Sequence, residues 1–200
     1  MTIVINNQNF DLTEEQVNKL KNALGFANEQ LADIPIAETF KVADIEWIKF
    51  YEFDGWVAVV AKDAVFTSEF GNDNNLANSK ALKKLKKDIL SKIEKAIGSD
   101  NIKEFETDLT ALDGVKTHGK VTSKISLPTL DFYRQYVDIF DKYKLDKWWW
   151  LATPWSALPH YDSSSVLCVS PCGGVDYYNY DNDYGVRPFC IFKSSIFVSR

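Results

Sequence analysis

Three consecutive tryptophans, Trp148, Trp149 and Trp150, restrict the fold of this chain more than any other feature of its sequence. They begin an apolar stretch that continues from Leu151 to Pro154 and has the composition of a β-strand. Because successive side chains of a strand point to opposite faces, Trp149 faces away from the other two tryptophans. The sequence therefore predicts a strand that is covered on both faces, with Trp149 and Trp150 as structural residues of the core.

The composition suits one globular domain that also carries aromatic side chains on its surface. The chain has 200 residues, of which 46% are hydrophobic, and this is enough for a substantial core. Its aromatic content of 14% exceeds what a minimal core needs, which indicates aromatic rings at a binding surface. The formal net charge of -5 opposes general nucleic-acid binding, because affinity for phosphate backbones comes mainly from clustered Lys and Arg.

Cysteine usage and hydropathy indicate a soluble protein with reduced thiols. No apolar run approaches the ~20 residues of a membrane-spanning helix, and the N-terminus lacks the features of a secretory signal. Cys168, Cys172 and Cys190 are odd in number and lie near the C-terminus, which argues against a secreted disulfide framework. We therefore expect no membrane partner, and a location in the cytoplasm of a host cell or in a virion.

The first part of the chain, residues 1–32, is predicted to form a small arm that consists of a hairpin and a helix. Apolar residues alternate on both sides of the polar run 6–9, as in two paired strands. Thr13 and Gln16 have capping-box spacing, and Gly25 follows the apolar helical stripe as a C-terminal cap. A linker around Pro35 separates this arm from the main domain, and the arm is a candidate contact for homo-oligomers.

The main domain, residues 38–200, is predicted to be of the α+β class, with antiparallel sheets and two or three packed helices. Residues 39–66 are rich in strand-forming residues. One helix is expected from a cap at Ser79 to Gly98, and a second helical segment after Pro128. The first helix is rich in lysine, which fits either an anionic partner or an ordinary solvated face.

Several motifs resemble those of an uncharacterised bacterial and phage domain family, which has a WWLRSP-like strand, a Gly-x-Val hairpin and a terminal GVRPA-like strand. Residues 149–154 match the first motif, Gly174 and Val175 match the second, and residues 185–188 match the third. The resemblance covers about residues 38–192, and Ala152 stands where the family usually has Arg. Three upstream segments are also similar to the family, at residues 40–48, 79–85 and 124–128.

The resemblance implies a C-type-lectin-like fold, in which a stable scaffold presents loops near the C-terminus for recognition. It also implies scaffold roles for Pro154, Arg187 and Pro188. Because Arg187 stands between the apolar residues Val186 and Pro188, we expect a buried or half-buried guanidinium that is satisfied by carboxylate or carbonyl oxygens.

A tyrosine-rich segment is the best candidate binding site in the sequence. Tyr gives a large contact area at low entropic cost, while Asn and Asp give adaptable hydrogen bonds, as in antibody paratopes. Tyr178, Tyr180 and Tyr184 share one strand face by their spacing, while Tyr177 points to the other face. The alternative is a β-hairpin with inward tyrosines and a polar turn. The candidate partner-binding residues are Tyr177, Tyr178, Asn179, Tyr180, Asp181, Asn182, Asp183 and Tyr184.

The sequence offers no convincing catalytic, metal or cofactor site. His160 and the three cysteines are candidates for a zinc site, but the Cys-x3-Cys spacing is loose, and we expect the cysteines to be small core residues instead. Residues 181–183 offer oxygen ligands for calcium but lack the regular D-x-D-x-D-G loop. No nucleophile lies in a recognisable motif beside His118 or His160. We therefore expect a protein that is not an enzyme and uses no cofactor.

These observations favour a non-catalytic recognition protein of phage or mobile-element origin, such as a virion decoration or a receptor-binding module with a protein or glycan partner. A second hypothesis is a phage-encoded, anti-CRISPR-like inhibitor of a host defence nuclease, because an acidic protein is suited to a nucleic-acid channel. A third hypothesis is a structural subunit that assembles through the N-terminal arm.

Overall fold

A computed structural model describes the backbone of residues 2–5, 8–13, 16, 28–158 and 162–200, and the side chains of those from residue 11 onward other than Asn28. It has mostly antiparallel sheets and few helices, which confirms the predicted α+β class. The helices are α1, with α-helical Lys80–Lys84 and Ser91–Ile97 on either side of a π-helical segment Leu85–Leu90, then α2 (Leu130–Gln135) and α3 (Val137–Lys142). The strands are β1 (Thr2–Ile5), β2 (Gln8–Asp11), β3 (Asn28–Gln30), β4 (Thr39–Val42), β5 (Ile45–Phe53), β6 (Trp56–Ala61), β7 (Phe66–Ser68), β8 (Phe105–Asp108), β9 (Lys120–Ser123), β10 (Ile125–Ser126), β11 (Trp149–Pro154), β12 (Ser165–Val169), β13 (Val175–Asn179), β14 (Tyr184–Val186), β15 (Phe189–Lys193) and β16 (Phe197–Ser199).

The strands form two larger sheets and two separate hairpins. The seven-stranded sheet has the order β10-β15-β6-β5-β4-β16-β3, and the five-stranded sheet has the order β13-β12-β11-β14-β7. The hairpins are β1–β2 and β8–β9. Neighbouring strands are antiparallel except for β11 and β14, which run parallel.

Local capping signals fix the ends of the helices. The Oγ of Ser79 accepts a hydrogen bond from the amide of Leu82 at 3.0 Å, and α1 ends at Gly98, whose φ of 84° suits glycine. Both ends agree with the sequence-based prediction. In the second helical segment, the Oγ1 of Thr129 accepts from the amide of Phe132 at 3.2 Å, so α2 begins just after Pro128.

β11, in the middle of the five-stranded sheet, is buried on both faces. The α1-side cluster contains Leu85 of α1, Trp150 and Val166, whereas the α2–α3-side cluster contains Phe140 and Trp149. The rings of Trp149 and Phe140 stack with centroids 5.6 Å apart, and the indole of Trp150 donates a hydrogen bond to the carbonyl of Ser68 at 3.0 Å. The alternation of the tryptophans therefore assigns β11 to the middle of the core.

The N-terminal segment begins as the sequence predicts and then enters the body of the molecule. β1 and β2 pair as a hairpin, and Thr13 and Gln16 exchange capping-box hydrogen bonds, with the Thr13 amide 3.0 Å from the Gln16 Oε1. The predicted helix to Gly25 lies outside the described residues. β3 joins the seven-stranded sheet beside β16, and Leu31 and Ile34 are fully buried. Residues 28–34 thus pack with the main domain.

Candidate binding surface

The tyrosine-rich segment forms the outermost strand of the five-stranded sheet. β13 follows a turn at Gly173, whose φ is 89°, and pairs with β12 from Val169 opposite Val175 to Ser165 opposite Asn179. All five of its residues are exposed. Within the described part of the chain, no strand pairs with its outer side.

The pairing of β13 with β12 determines which backbone groups of β13 face the free edge of the sheet. Ser170 and Tyr180 donate backbone hydrogen bonds to Gly174 and Ser164 across the β12–β13 pair, both at 2.9 Å. Because hydrogen-bonded and non-hydrogen-bonded pairs alternate in an antiparallel ladder, the backbone groups of residues 175, 177 and 179 point toward the free edge.

Two of these edge groups have partners within the chain. The Tyr177 amide donates to the Oδ1 of Asp176 at 2.8 Å. The Asn179 carbonyl accepts from the Asn182 amide at 3.1 Å in the following turn. Natural proteins guard free strand edges with such charged side chains and tight turns.

An aromatic group covers the α1-side face of β13. The ring of Tyr178 lies edge-on to Trp148 at 5.1 Å and to Tyr184 at 5.6 Å, and Tyr184 stacks on Trp148 at 5.9 Å. Tyr178 is exposed, whereas the other two are half-buried. Partial burial, with a smaller contribution from nearby Cys168, raises the pKa of Tyr184 to about 12, so its phenol stays neutral near pH 7.

The opposite face carries a second aromatic pair beside a shallow cavity. Tyr177 stacks on Trp155 with ring centroids 3.9 Å apart. The adjoining cavity of about 360 Å³ is lined by Leu112, Leu158 and Trp155 among others. The amide of Leu112 donates to the carbonyl of Pro154 at 3.0 Å, which holds the 109–119 loop against the end of β11.

Exposed apolar side chains concentrate at this edge. Among the side chains that the structure describes, eight large apolar ones are more than a third exposed. Five of the eight surround β13, namely Leu112, Leu158, Val175, Tyr177 and Tyr178. We call this set the edge patch. These side chains lie on both faces of the edge strand, and groups of exposed apolar side chains are typical of interaction sites on soluble proteins.

The chain around the edge patch carries negative charge. Residues 148–186 contain no Lys or Arg, but they contain Asp162, Asp176, Asp181 and Asp183, all of which are exposed. The patch therefore combines exposed aromatic rings with carboxylates, which is a surface suited to cationic groups.

The structure places the other predicted binding residues in and around the turn after β13. Tyr180 is half-buried, and its carbonyl accepts from the amide of Phe70 at 2.8 Å, so it anchors the turn. Asp181 and Asp183 are exposed and Asn182 is half-buried. The interpretation of the segment as one hairpin is wrong, because β14 lies between β11 and β7 and is separated from β13 by two strands.

Sequence reasoning missed several members of this surface. Val175 was assigned to a motif only, Trp148 was treated as core, and Trp155, Leu112 and Leu158 were not singled out. The pairing of Tyr177 with Trp155 joins segments that are distant in the chain, so no local pattern signals it. The proline and tryptophan at 154–155 are the one local hint, since a large ring follows the predicted end of a buried strand.

The residues that were predicted to be structural lie inside the scaffold beneath the patch. Trp149, Trp150, Pro154, Arg187 and Pro188 are all buried. The Nε of Arg187 donates to the Ala61 carbonyl at 2.7 Å and its Nη2 to the Tyr143 carbonyl at 3.3 Å. These side chains fix the sheet that carries β13.

Close packing explains the glycine in the third motif. A Cβ on Gly185 would lie 2.9 Å from the Cβ of Ala64 and 3.2 Å from the carbonyl oxygen of Trp148. The Gly185 amide donates to that Trp148 carbonyl at 2.8 Å. Only glycine allows β14 to approach β11 this closely.

The cysteines and histidines serve different local roles. Cys168 and Cys190 are buried as predicted, but Cys172 is exposed in the turn before β13, so its assignment to the core is wrong. His118 places its Nε2 2.8 Å from the Oδ1 of the buried Asn74, and burial lowers its pKa. His160 lies outside the described residues. No cluster of three metal-binding side chains occurs in the described ranges.

Comparisons with known proteins give no assignment. No protein-family model matches the chain, and no match was found among curated proteins or solved structures. In the part of the chain that the structure describes, no helix is both long enough and apolar enough to span a membrane.

Proposed function

We propose that this chain is a non-catalytic recognition protein that binds a partner protein through the edge patch. One observation carries the proposal: among the side chains that the structure describes, five of the eight exposed large apolar ones lie around the edge strand β13. They include two tyrosines, which are among the residues that most often anchor protein interfaces. Carboxylates beside them supply the polar rim of such an interface.

The proposal extends to a C-type-lectin-like scaffold of phage or mobile-element type, with a role as a virion decoration or receptor-binding module. The three motifs behind this resemblance lie on three strands of one sheet. β11 contains the tryptophan motif, β14 lies parallel to it with Trp149 opposite Gly185, and β13 begins at Val175. A rigid sheet that presents an aromatic edge supports recognition as the task of this scaffold.

A second candidate function is inhibition of a host defence nuclease by protein–protein binding. The absence of Lys and Arg from residues 148–186, together with four aspartates, favours it. An acidic surface of this kind complements the basic channel of a nucleic-acid enzyme. Under this function, inhibition should weaken as salt is raised, whereas binding to a neutral receptor should not.

Matched surface variants test the proposal. Tyr177→Ser and Leu158→Ser change the edge patch, while Val137→Ser changes a side chain as exposed as that of Tyr177, at 41%, in α3. The partner is first captured with the unaltered protein from cells that contain it, and we expect each patch variant to weaken binding of this captured partner by at least about 1–2 kcal/mol, as for an interface anchor. The Val137 variant should bind normally, and all three should keep their melting temperature. Equal binding by all variants would refute the edge patch as the interface.

A further inference from the structure

The geometry points to a specific mode and partner chemistry for the edge patch: we propose that the free edge of β13 accepts an extended segment of a partner protein that contains Lys or Arg, as a sixth strand of the sheet. This inference rests on the proposed function and names the form of its ligand. Strand addition is a common mode of peptide recognition, in which backbone hydrogen bonds give affinity and side chains give specificity.

The backbone of β13 supplies the hydrogen-bonding groups. The register fixed by Ser170 and Tyr180 directs the amide and carbonyl of Val175, the carbonyl of Tyr177 and the amide of Asn179 away from β12. All of these residues are exposed, so an incoming strand reaches them without rearrangement of the core. An added strand would lie about 4.8 Å away, between the aromatic rings of the two faces.

Asp176 makes this edge selective for a basic strand. Its carboxylate holds the Tyr177 amide at 2.8 Å and so blocks the centre of the edge. A Lys or Arg on the partner strand opposite Asp176 would pair with the carboxylate and release the Tyr177 amide for a partner carbonyl. The same cation would lie near the exposed ring of Tyr178, which projects from the same face as Asp176.

The charge of the surroundings selects among the candidate occupants. A second copy of this chain that docked through its own β13 would bring two sets of four aspartates together and would place no cation opposite Asp176, because residues 148–186 contain no Lys or Arg. A nucleic acid would bring phosphates against those same carboxylates. A basic polypeptide segment is the occupant that complements both the backbone edge and the charge.

Amide hydrogen exchange with a defined probe tests the inference. The probe is a capped peptide of alternating Lys and Val, and its controls are a Glu–Val peptide and a Lys–Val peptide with N-methylated backbone amides on one edge. At saturating Lys–Val peptide, the Val175 and Asn179 amides should exchange at least about tenfold more slowly, because they become hydrogen-bonded. The Asp176 and Tyr178 amides, which face β12, serve as internal controls and should not change.

The control peptides and one variant complete the test. The Glu–Val and N-methylated peptides should bind at least about tenfold more weakly than the Lys–Val peptide. The Glu–Val peptide lacks the positive charge, and the N-methylated peptide cannot form the backbone hydrogen bonds to β13. The Asp176→Ala variant should bind Lys–Val and neutral Thr–Val peptides about equally. Its Tyr177 amide no longer has an intramolecular acceptor, and the carboxylate that would pair with a Lys of the peptide is gone.

Two outcomes would overturn strand addition. One is equal binding of the N-methylated peptide, and the other is no slowing of Val175 and Asn179 exchange at millimolar Lys–Val peptide. If binding of the captured partner is still weakened by Tyr177→Ser and Leu158→Ser in either case, the edge patch remains the interface and only the strand-addition mode fails. If the partner is also indifferent to those residues, the proposed function fails as well.

Discussion

Arg187 shows how a single buried cation can organise the scaffold under a binding surface. Its guanidinium lies 5.2 Å from the rings of both Phe140 and Trp149 and donates to the carbonyls of Ala61 and Tyr143. Burial lowers the pKa of Arg187 to about 10, which still leaves the side chain charged at neutral pH. The side chain thus joins the end of β6, the end of α3 and the start of β11.

Replacing Arg187 by Ala should destabilise the protein by roughly 3 kcal/mol or more, because it leaves a cavity and two buried carbonyls without their donor. The exposed Arg134 offers a matched control, since Arg134→Ala should change stability by less than about 0.5 kcal/mol. Denaturant unfolding measures both values. Similar stability losses for the two variants would contradict the structural role of Arg187.

The three thiols should differ sharply in reactivity. Hydrogen bonding from Ser170, whose Oγ lies 2.9 Å from the Cys172 Sγ, lowers the pKa of Cys172. Burial raises the pKa of Cys168 to about 12 and also raises that of Cys190. Because the thiolate is the reactive form, alkylation of the native protein near neutral pH should modify Cys172 alone.

The pH dependence of this alkylation tests whether Ser170 lowers the pKa of Cys172. Ser170→Ala should raise the pKa of Cys172, so the rate at pH 7 falls and its midpoint moves to higher pH. Mass spectrometry of the labelled chain measures site and rate, and Cys172→Ser should stay unlabelled until the protein is denatured. Rapid labelling of Cys168 or Cys190 in the native protein would show that reagent and solvent reach these buried positions of β12 and β15.

At the scale of elements, β3 connects the N-terminal segment to the large sheet. The amides of Leu31 and Ala32 donate to the carbonyls of Ile196 and Ser194, each at 2.9 Å. The buried ammonium of Lys49 donates to the carbonyls of Leu31 and Ala32, each at 3.0 Å. Residues 28–34 therefore provide both a strand and the acceptors for a buried cation.

Two N-terminal truncations should behave differently. A chain that begins at Asn28 keeps β3 and should unfold at nearly the denaturant concentration of the full chain. A chain that begins at Asp33 loses β3 and Leu31, and it leaves Lys49 short of acceptors, so it should lose at least about 3 kcal/mol. Equal stability of the two truncated chains would show that β3 does not support the core.

The elements differ in how far the sequence predicts them. The alternation at Trp148–Trp150 and the caps at Ser79 and Gly98 are local signals, and the structure agrees with them. The pairing of β14 with β7 depends on residues more than a hundred positions apart, and packing against β11 decides it. The tyrosines were predictable as candidates from local composition, but Trp155, on which Tyr177 stacks, was not, because the two residues are distant in the chain.

At the scale of the whole molecule, the two kinds of charge occupy different parts of the chain. α1 carries seven lysines, and internal contacts account for some of them, since Lys80 pairs with Glu69 and Lys84 lies 4.2 Å above the ring of Phe66. Residues 148–186 carry only negative charge among Lys, Arg, Asp and Glu. Under the proposed function, this separation should orient a basic partner toward the edge patch rather than toward α1.

Site-specific photo-crosslinking tests whether the edge patch binds an extended segment of a partner protein, because it reports contact at a chosen position of the folded chain. A photoreactive phenylalanine analogue replaces Tyr177 in one variant and Val137 in another, and the variants are irradiated in the cells that naturally contain the protein. We expect position 177 to form a covalent adduct with one defined protein, and mass spectrometry should map this adduct to a basic, extended segment. Position 137 should form no such adduct. An adduct with the same protein from position 137 and none from position 177 would contradict this expectation.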